Sequence, residues 1–372
     1  MGKDLIDVEY VIPEGSFQYG KLGRDGIELV QYQGLAGHVE IPGELPCEEI
    51  MKGTEFEITR EVEGETVDCA HGSFPVKALA KKVFLSKKYL RSVVVPASVE
   101  SVGDWAFAYC DSLREVTFLG RNVQFGKDVF KECAGLRCVR FQGEATGPNT
   151  TSLQEGGIVK EGGIVKESSI VKEGGIVRGS CKETGVSSNA CDGVGALMAA
   201  AVTQMDASYL LDAKEAGSPE WLGKWDARML TILHATDDEG YAKQILCGEE
   251  DYESADLETY LRNSRKRKVR LLLLRLLWPM ELSPAAEKEC REYLLSHTMG
   301  CATEETWAVI RDEYGNRREF YELFATLGCL TKENAPEIIA ETRQDCPEMK
   351  AYFLRYQAEH FGTTGFFDDM EL

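Results

Sequence analysis

The sequence predicts an α+β multidomain protein in which a short repeat solenoid is followed by an all-α helical-repeat domain. Three observations carry this prediction. Residues 90–141 repeat a pattern of apolar side chains every 23 positions, residues 155–178 repeat a hexad, and residues 191–365 place apolar side chains at helical spacing. A fixed period in the twenties is typical of a solenoid, in which stacked turns bury a shared column of side chains.

Each turn of the predicted solenoid begins with a short strand. The pattern of residues 90–96 (LRSVVVP) recurs 23 positions later at residues 113–118 (LREVTF) and again at residues 136–141 (LRCVRF). Apolar residues that alternate with a period of two indicate a strand. We therefore expect the leucine, valine and phenylalanine positions to point into the stack and the arginine position to point outward.

The second half of each turn carries glycine, phenylalanine and cysteine at fixed spacing. Residues 102–110 (VGDWAFAYC) are answered by residues 125–133 (FGKDVFKEC), and Phe84 lies 23 positions before the first phenylalanine. Apolar residues three apart predict one or two helical turns, with Gly103 and Gly126 supplying the tight turn before them. The cysteines are expected to stack as small buried hydrophobic side chains.

These recurring positions resemble the BspA-like class of leucine-rich repeats. The resemblance covers residues 76–142, and residues 28–49 resemble the amino-terminal cap of such proteins. It implies a right-handed solenoid used mainly for binding, often at bacterial surfaces, and it implies no catalytic residues. The departure from the family is length, because this chain has two good turns and two partial ones.

Composition divides the chain into four predicted segments. They are a β-rich amino-terminal cap, the leucine-rich repeats, a hexad-repeat linker and an α-helical repeat domain: residues 1–75, 76–145, 146–190 and 191–372. A cap is expected because the apolar end of any repeat stack must be covered.

The hexads EGGIVK, EGGIVK, ESSIVK and EGGIVR follow one another without drift. One interpretation is a stiff coil of six-residue turns in which Ile158, Ile164, Ile170 and Ile176 stack. The other is a recently duplicated, flexible linker whose glycine pairs raise the chain entropy. We predict the linker.

Helix-start signals recur through the carboxy-terminal half. Ser218 and Ser283 are each followed by proline, and serine as N-cap before proline at the first helical position is a favoured start. Thr303 is predicted to cap a helix over residues 304–314. Short helical segments joined by short loops indicate stacked helical hairpins.

The last pair of predicted helices, at residues 330–339 and 349–356, resembles an ankyrin-type helix pair without its hairpin tip. The Thr-Pro-Leu-His signature of ankyrin repeats is not present. A repeat-like α-solenoid or an irregular bundle is therefore expected for this half of the chain.

Charge is distributed unevenly. The 372-residue chain has a formal charge of −20, which argues against non-specific nucleic-acid binding. Residues 76–145, however, hold 12 basic and 7 acidic side chains, so a positive solenoid is predicted between two acidic segments. The longest apolar run, residues 269–278, is shorter than the roughly 20 residues that span a bilayer, so we expect no membrane contact.

Twelve cysteines are present and none is spaced as Cys-x-x-Cys. Several fall at repeat-core or apolar helix positions, so we interpret them as reduced and buried and predict a cytoplasmic protein. Lys3, Asp4 and Asp7 interrupt any apolar run after Met1, and no signal peptide is predicted. The alternative is a location at the cell surface, or secretion, by a route without a visible signal peptide.

A row of arginines is the leading candidate binding site. Arg91, Arg114 and Arg137 occupy the same position in consecutive turns, and Arg140 lies nearby. Adjacent strands lie roughly 4.8 Å apart, so these charges repel one another and suggest an anionic counterpart such as a carboxylate-rich peptide, an acidic glycan or phosphate. The alternative is that arginine is simply common at this position of the repeat, and that its charge is balanced by Glu115 and by solvent.

Trp105 is a second candidate, because it takes the position that Asp128 occupies one turn later. That register predicts exposure, and exposed tryptophan is favoured at contact surfaces. The alternative is that the ring simply lies over the neighbouring turn.

The basic run at residues 265–268 (RKRK) precedes a leucine-rich segment. Such a run can mark a nucleic-acid or membrane-surface patch. Four successive leucines cover every side of a helix, however, so we predict a buried helix whose solvated start is this run. Acidic residues 249–251 would be its partners.

No metal or cofactor site is predicted. His297 and Cys301 are four apart, and Cys69 and His71 are two apart, but neither pair has further ligands at fitting spacing. The chain is therefore predicted to be a non-enzymatic interaction protein with protein partners, acidic ones included. The alternatives are an enzyme or effector whose active site lies in the helical domain, and a secreted bacterial surface adhesin.

Overall fold

The computed structural model describes residues 8–12, 15–22, 26–46, 59–62, 65–68, 73–143, 193–242, 256–301 and 303–362. The predicted hexad linker at residues 146–190 lies outside the described residues. Residues Met1–Glu144 and Cys191–Leu372 belong to one compact unit. A strand-rich repeat region is followed by a helical region, as predicted.

The described strands are short and are numbered in chain order. They are β1 Val8–Ile12, β2 Gly15–Leu22, β3 Gly26–Gln33, β4 His38–Glu40, β5 Glu44–Pro46, β6 Thr59–Val62, β7 Glu65–Asp68, β8 Ser73–Leu79, β9 Ser92–Val95, β10 Ser101–Val102, β11 Glu115–Phe118, β12 Gln124–Phe125 and β13 Cys138–Phe141.

One sheet contains the three predicted repeat strands, β9, β11 and β13, and has the order β4-β9-β11-β13, all parallel. Val93 pairs with Val116, and Val116 pairs with Val139, so equivalent positions 23 residues apart are neighbours. This register confirms the predicted stacking. The amino-terminal segment supplies the first strand, because Val39 of β4 pairs with Val93.

A second sheet runs along the other side of the turns and was not predicted. Strands β8, β10 and β12 pair in parallel, with Ala78 opposite Ser101 and Ser101 opposite Gln124. Strand β3 extends this sheet in parallel, and β2 and β1 add antiparallel strands to its amino-terminal edge. Two-residue strands such as β10 leave no periodicity that a sequence window can detect.

The predicted helical turns in the second half of each repeat are wrong. Trp105 and Tyr109 each have a φ of 60°, a left-handed conformation that no right-handed helix contains. Their N–H groups donate instead to the next turn, to the carbonyls of Lys127 at 3.0 Å and Lys131 at 2.8 Å. These segments are therefore stacked turns, held by hydrogen bonds between repeats instead of within them.

Glycine is required in these turns by close approach. A Cβ atom at Gly103 would lie 2.5 Å from the backbone nitrogen of Lys81, and one at Gly126 would lie 2.6 Å from that of Asp104. No side chain fits at such distances, so each glycine lets one turn rest directly on the turn before it.

A column of aromatic rings fills the centre of the stack. The rings of Phe84 and Phe107 are 5.1 Å apart and those of Phe107 and Phe130 are 5.5 Å apart, with interplanar angles of 9° and 12°. Tyr32, from the amino-terminal segment, extends the column at 5.2 Å from Phe84. The shared apolar column that the repeat predicts is therefore present and buried.

The described helices are also numbered in chain order. They are α1 Gly193–Gln204, α2 Pro219–His234, α3 Leu257–Leu277, α4 Pro284–Ser296, α5 Glu305–Glu313, α6 Arg318–Thr326, α7 Ala335–Glu341 and α8 Pro347–His360, with a 3₁₀ turn at Ser208–Leu210 between α1 and α2. None of these described helices has both the length and the apolar character needed to cross a bilayer.

Two of the predicted helix starts are confirmed. The hydroxyl of Ser218 accepts a hydrogen bond from the N–H of Trp221 at 3.1 Å, and that of Ser283 accepts one from Ala286 at 3.2 Å. The predicted cap at Thr303 is wrong, because α5 begins one residue later, after Glu304, and has no side-chain cap.

Helix α1 joins the repeat region to the helical region. Its small side chains are buried, and it packs against both β13 and α3. Trp225 of α2 donates its indole N–H to the carbonyl of Leu197 at 2.9 Å. As a result, one continuous apolar core runs from the stacked turns into the helices.

Candidate binding surfaces

The predicted arginine row is divided by its surroundings. Arg91 and Arg114 are exposed, and Nη1 of Arg114 donates to the carbonyl of Gly135 at 3.0 Å. Arg137 is half-buried, and burial lowers its pKa, with Tyr314 of the helical region close by. Only the first two positions of the row therefore face open solvent.

Arg140 has a structural partner. Its Nη1 lies 3.0 Å from Oε1 of Glu115, and 13% of its side chain is exposed. This pair links neighbouring strands of the repeat sheet, so Arg140 is engaged within the stack. The predicted role of the row in binding stays a prediction.

Trp105 lies over the preceding turn. The ammonium of Lys82 sits 5.5 Å from the centre of its indole ring, and the ring of Tyr109 is 6.4 Å away. Trp105 is half-buried instead of fully exposed. This burial agrees with the alternative that the ring lies over the neighbouring turn, and a role of Trp105 in binding stays a prediction.

A groove at the first complete turn was missed by the sequence reasoning, and we call it the lysine groove. It consists of two adjacent depressions of about 200 and 350 Å³ that share Tyr32 and Lys87. The residues that define it are Tyr32, Leu35, Lys81, Lys82, Lys87, Lys88 and Tyr89.

The lysine groove combines exposed apolar side chains with positive charge. Leu35 is 78% exposed and Tyr89 is 65% exposed, the two highest values among the large apolar side chains of the described residues. The ammonium of Lys87 lies 5.6 Å from the ring centre of Tyr32, and Lys88 forms an ion pair with Asp111. The two lysine pairs at residues 81–82 and 87–88 were the signal in the sequence that could have located this surface.

The repeat cysteines behave as buried hydrophobic groups, as predicted. Burial raises the pKa of Cys110 to about 11 and that of Cys133 to about 12. Their thiols donate to carbonyls of the preceding turn, those of Phe84 and Phe107, at 3.1 and 3.0 Å. The prediction that the cysteines are reduced is wrong at Cys138, which is disulfide-bonded.

The basic run at residues 265–268 is not a solvated helix start, so that prediction is also wrong. It lies in the middle of α3, and Lys268 is 5% exposed with its Nζ 2.8 Å from Oδ1 of Asp237. Arg265 lies 2.7 Å from Glu305. The predicted partners at residues 249–251 lie outside the described residues, and these pairings require the tertiary fold.

Among the described residues, no group of three or more histidine, cysteine, aspartate or glutamate side chains is arranged to hold a metal ion. Cys69 and His71 are not described. His297 directs its Nδ1 to the carbonyl of Tyr293 at 2.8 Å, which gives it a local structural contact.

Parallel strands stacked at steps of 23 residues, with leucine, valine and phenylalanine inward, define a leucine-rich repeat region. Residues 76–154 match the family described as BspA type Leucine rich repeat region (6 copies), so this part of the chain is of the BspA type. The predicted resemblance is confirmed here, whereas the ankyrin-type resemblance of the last helices stays a prediction.

Solved structures with a similar stretch come from bacteria. A leucine rich cell surface protein from Faecalibacterium prausnitzii A2-165 is 21% identical, with a TM-score of 0.25, covering 36% of this chain and 32% of that chain. A leucine-rich repeat protein from Bacteroides ovatus ATCC 8483 is 16% identical, with a TM-score of 0.25, covering 35% and 28%. The T. pallidum Leucine Rich Repeat protein is 27% identical, with a TM-score of 0.21, covering 32% and 55%.

This chain therefore spans about a third of the length of the first two of these proteins. No curated protein matches it.

Proposed function

We propose that this chain is a non-enzymatic protein-interaction module and that its leucine-rich repeats bind an acidic polypeptide at the lysine groove. The observation that carries the proposal is the exposure of Leu35 and Tyr89 beside four lysines. The stacked turns would form a short solenoid that holds this groove in a fixed shape.

The chemistry of the groove fits such a partner. Contiguous exposed apolar surface is unusual on a soluble domain and commonly marks a contact site, and tyrosine is enriched among the residues that dominate binding energy. Lysine stems add apolar area while their ammonium groups attract carboxylates. The local positive charge stands out against the net charge of −20, so an acidic partner is steered to this surface and repelled elsewhere.

A defined peptide tests this proposal. A labelled peptide that alternates glutamate and phenylalanine is titrated into the full chain and followed by fluorescence anisotropy, beside the same peptide with lysine in place of glutamate. We expect binding of the acidic peptide only, weakened about 10-fold or more by Leu35→Glu with Tyr89→Glu. Its affinity should also fall as salt is raised.

Tyr209→Glu is the matched control. Tyr209 is 61% exposed and lies in the helical region, so its replacement adds one of the two negative charges of the groove variant at a site away from the groove. We expect unchanged peptide binding by this variant. Equal binding of both peptides, or no loss in the groove variant, would refute the proposal.

The location of the protein bears on this function, and the Cys138 disulfide supports the alternative of a cell-surface or secreted protein. Disulfides persist in oxidising compartments and are rare in the cytosol. Alkylating the unfolded chain, isolated from its native source with thiols trapped at lysis, should modify at least two fewer cysteines without reductant than with it. Equal modification would favour the predicted cytoplasmic location.

A further inference from the structure

A cleft of about 430 Å³ lies in the helical region, between the carboxy-terminal half of α2 and the amino-terminal half of α3. Its volume is in the range of small-molecule sites in proteins. Its lining includes five residues with hydrogen-bonding side chains: Arg228, Arg267, Thr231, Ser264 and Asn263.

The two arginines are held side by side by the end of α1. Nε of Arg267 donates to the carbonyl of Gln204 at 2.5 Å, and Nε and Nη2 of Arg228 donate to that of the next residue, Met205, at 3.0 and 2.8 Å. A guanidinium group has five N–H donors. These contacts leave Nη1 of Arg228 and both Nη groups of Arg267 without a partner among the described residues.

No described carboxylate forms an ion pair with Arg228 or Arg267. Their neighbours on α3 differ, because Lys268 is paired with Asp237 and Arg270 with Glu313. Burial lowers the pKa of Arg267, the nearby Asp206 carboxylate acts in the opposite direction, and the charge of Arg228 lowers the pKa again. Two partly desolvated like charges side by side are costly, and an anion between them would offset that cost.

We propose that this cleft binds a small polar molecule through an oxyanion, a phosphate or a carboxylate group, gripped by the guanidinium groups of Arg228 and Arg267. Thr231, Ser264 and Asn263 contact the remainder of the ligand. The planar forks of arginine match both oxyanions in a bidentate manner. This site is separate from the lysine groove and does not depend on the function proposed for it.

The mouth of the cleft offers a test that leaves the arginines untouched. Asp206 and Glu239 line the cleft and are exposed, and the Asp206 carboxylate opposes an incoming anion. Asp206 has a φ of 50°, a conformation that asparagine adopts readily. Asp206→Asn therefore removes the opposing charge without straining the backbone.

The experiment titrates the full chain by calorimetry with inorganic phosphate, pyrophosphate and citrate, separately. We expect saturable one-to-one binding of at least one anion, with the preferred anion distinguishing a phosphate from a carboxylate ligand. Arg267→Gln should weaken anion binding about 10-fold or more, because it removes both the positive charge and the paired N–H donors of the guanidinium group. Asp206→Asn should strengthen it about threefold or more.

Arg262→Gln is the matched control, because Arg262 lies on the same helix but is exposed and paired with Glu258. It should bind the anion like the unmodified chain. No saturable binding of any of the three anions would overturn the proposal. Binding that neither Arg267→Gln nor Asp206→Asn changes would show an adventitious ion only and would overturn it as well. If Arg267→Gln does not fold, the Asp206→Asn titration decides alone.

Discussion

The repeat region and the helical region bury different kinds of side chain. In the repeat region the interior is apolar and repetitive, with Phe84, Phe107 and Phe130 stacked in one column. In the helical region the interior also contains charge: Arg275 is fully buried, and its Nε lies 2.5 Å from Oδ1 of Asp226.

The difference shows why a repetitive core is apolar whereas a core of dissimilar helices can contain buried charge. Each position of a repeat packs against the equivalent position of the next repeat, so the same packing arrangement recurs in every turn. A charged side chain at a buried repeat position would therefore lie next to a like charge, which is unfavourable. Helices that differ from one another have no such constraint. They can bury an arginine wherever a carboxylate and free carbonyls converge, as around Arg275.

The largest loss of stability is expected from removing a ring from the middle of the aromatic column. Phe107→Ala removes a fully buried ring that contacts a ring on each side, so it should cost about 3–5 kcal/mol of unfolding free energy. Urea denaturation followed by far-UV circular dichroism measures this. Tyr89→Ala, at a side chain that is 65% exposed, should leave the midpoint nearly unchanged. Similar midpoints for the two variants would contradict a shared column.

Breaking the buried ion pair tests the helical region. Asp226→Ala leaves Arg275 buried without its carboxylate and should cost about 3 kcal/mol. Asp226→Leu combined with Arg275→Met should recover most of that loss, since both charges are then absent. Lys224→Ala, which removes an exposed pair from the same helix, should not move the midpoint. An unchanged midpoint for Asp226→Ala would mean that the pair of Asp226 and Arg275 contributes nothing to the free energy of unfolding.

Glycine should behave oppositely in the two regions. Gly103→Ala places a Cβ 2.5 Å from the backbone of Lys81 and should destabilise the repeat region by about 1–3 kcal/mol. Gly223→Ala, inside α2 and with no atom beyond its own stretch of helix backbone within 4 Å of the new Cβ, should stabilise the chain by about 0.5–1 kcal/mol. Thermal denaturation of both variants gives the two signs, and equal signs would contradict the close packing of turns.

The smallest effects concern the helix caps. Ser218→Ala and Ser283→Ala each remove an acceptor for a helix N–H group and should cost about 1 kcal/mol. Thr303→Ala should cost clearly less, because Thr303 is not the cap of α5. Chemical denaturation distinguishes these outcomes, and an equal loss at all three positions would restore the predicted cap at Thr303.

Local and periodic features were predictable from the sequence. The 23-residue register of Val93, Val116 and Val139 follows from apolar alternation, and the caps at Ser218 and Ser283 follow from a two-residue signal. Both depend on neighbours in sequence or on exact repetition.

Features that depend on contacts between distant residues were not predictable. The left-handed backbone of Trp105 satisfies its N–H group on the following turn, whereas spacing alone indicated a helix. In the basic run at residues 265–268, Lys268 is buried and Arg265 is half-buried, because Asp237 and Glu305 meet them in three dimensions. Counting charges could not distinguish that from a solvated face.

The binding surfaces follow the same rule. The arginine row was visible as a repeat position, yet the packing of the helical region leaves only Arg91 and Arg114 in open solvent. The lysine groove unites Leu35 with Lys87 and Tyr89 across more than fifty positions. The pairing of β4 with β9, together with the hydrogen bond from the N–H of Tyr32 to the carbonyl of Val83, brings those segments together.

The position of α1 against β13 has a consequence for how such a chain can lengthen. Among the described residues, one end of the stack pairs with β4 and the other packs against α1. A duplicated 23-residue unit inserted between β9 and β11 would inherit neighbours of its own kind, whereas one appended after β13 would have to displace a helix. Growth of this protein by duplication is therefore expected from its middle outward.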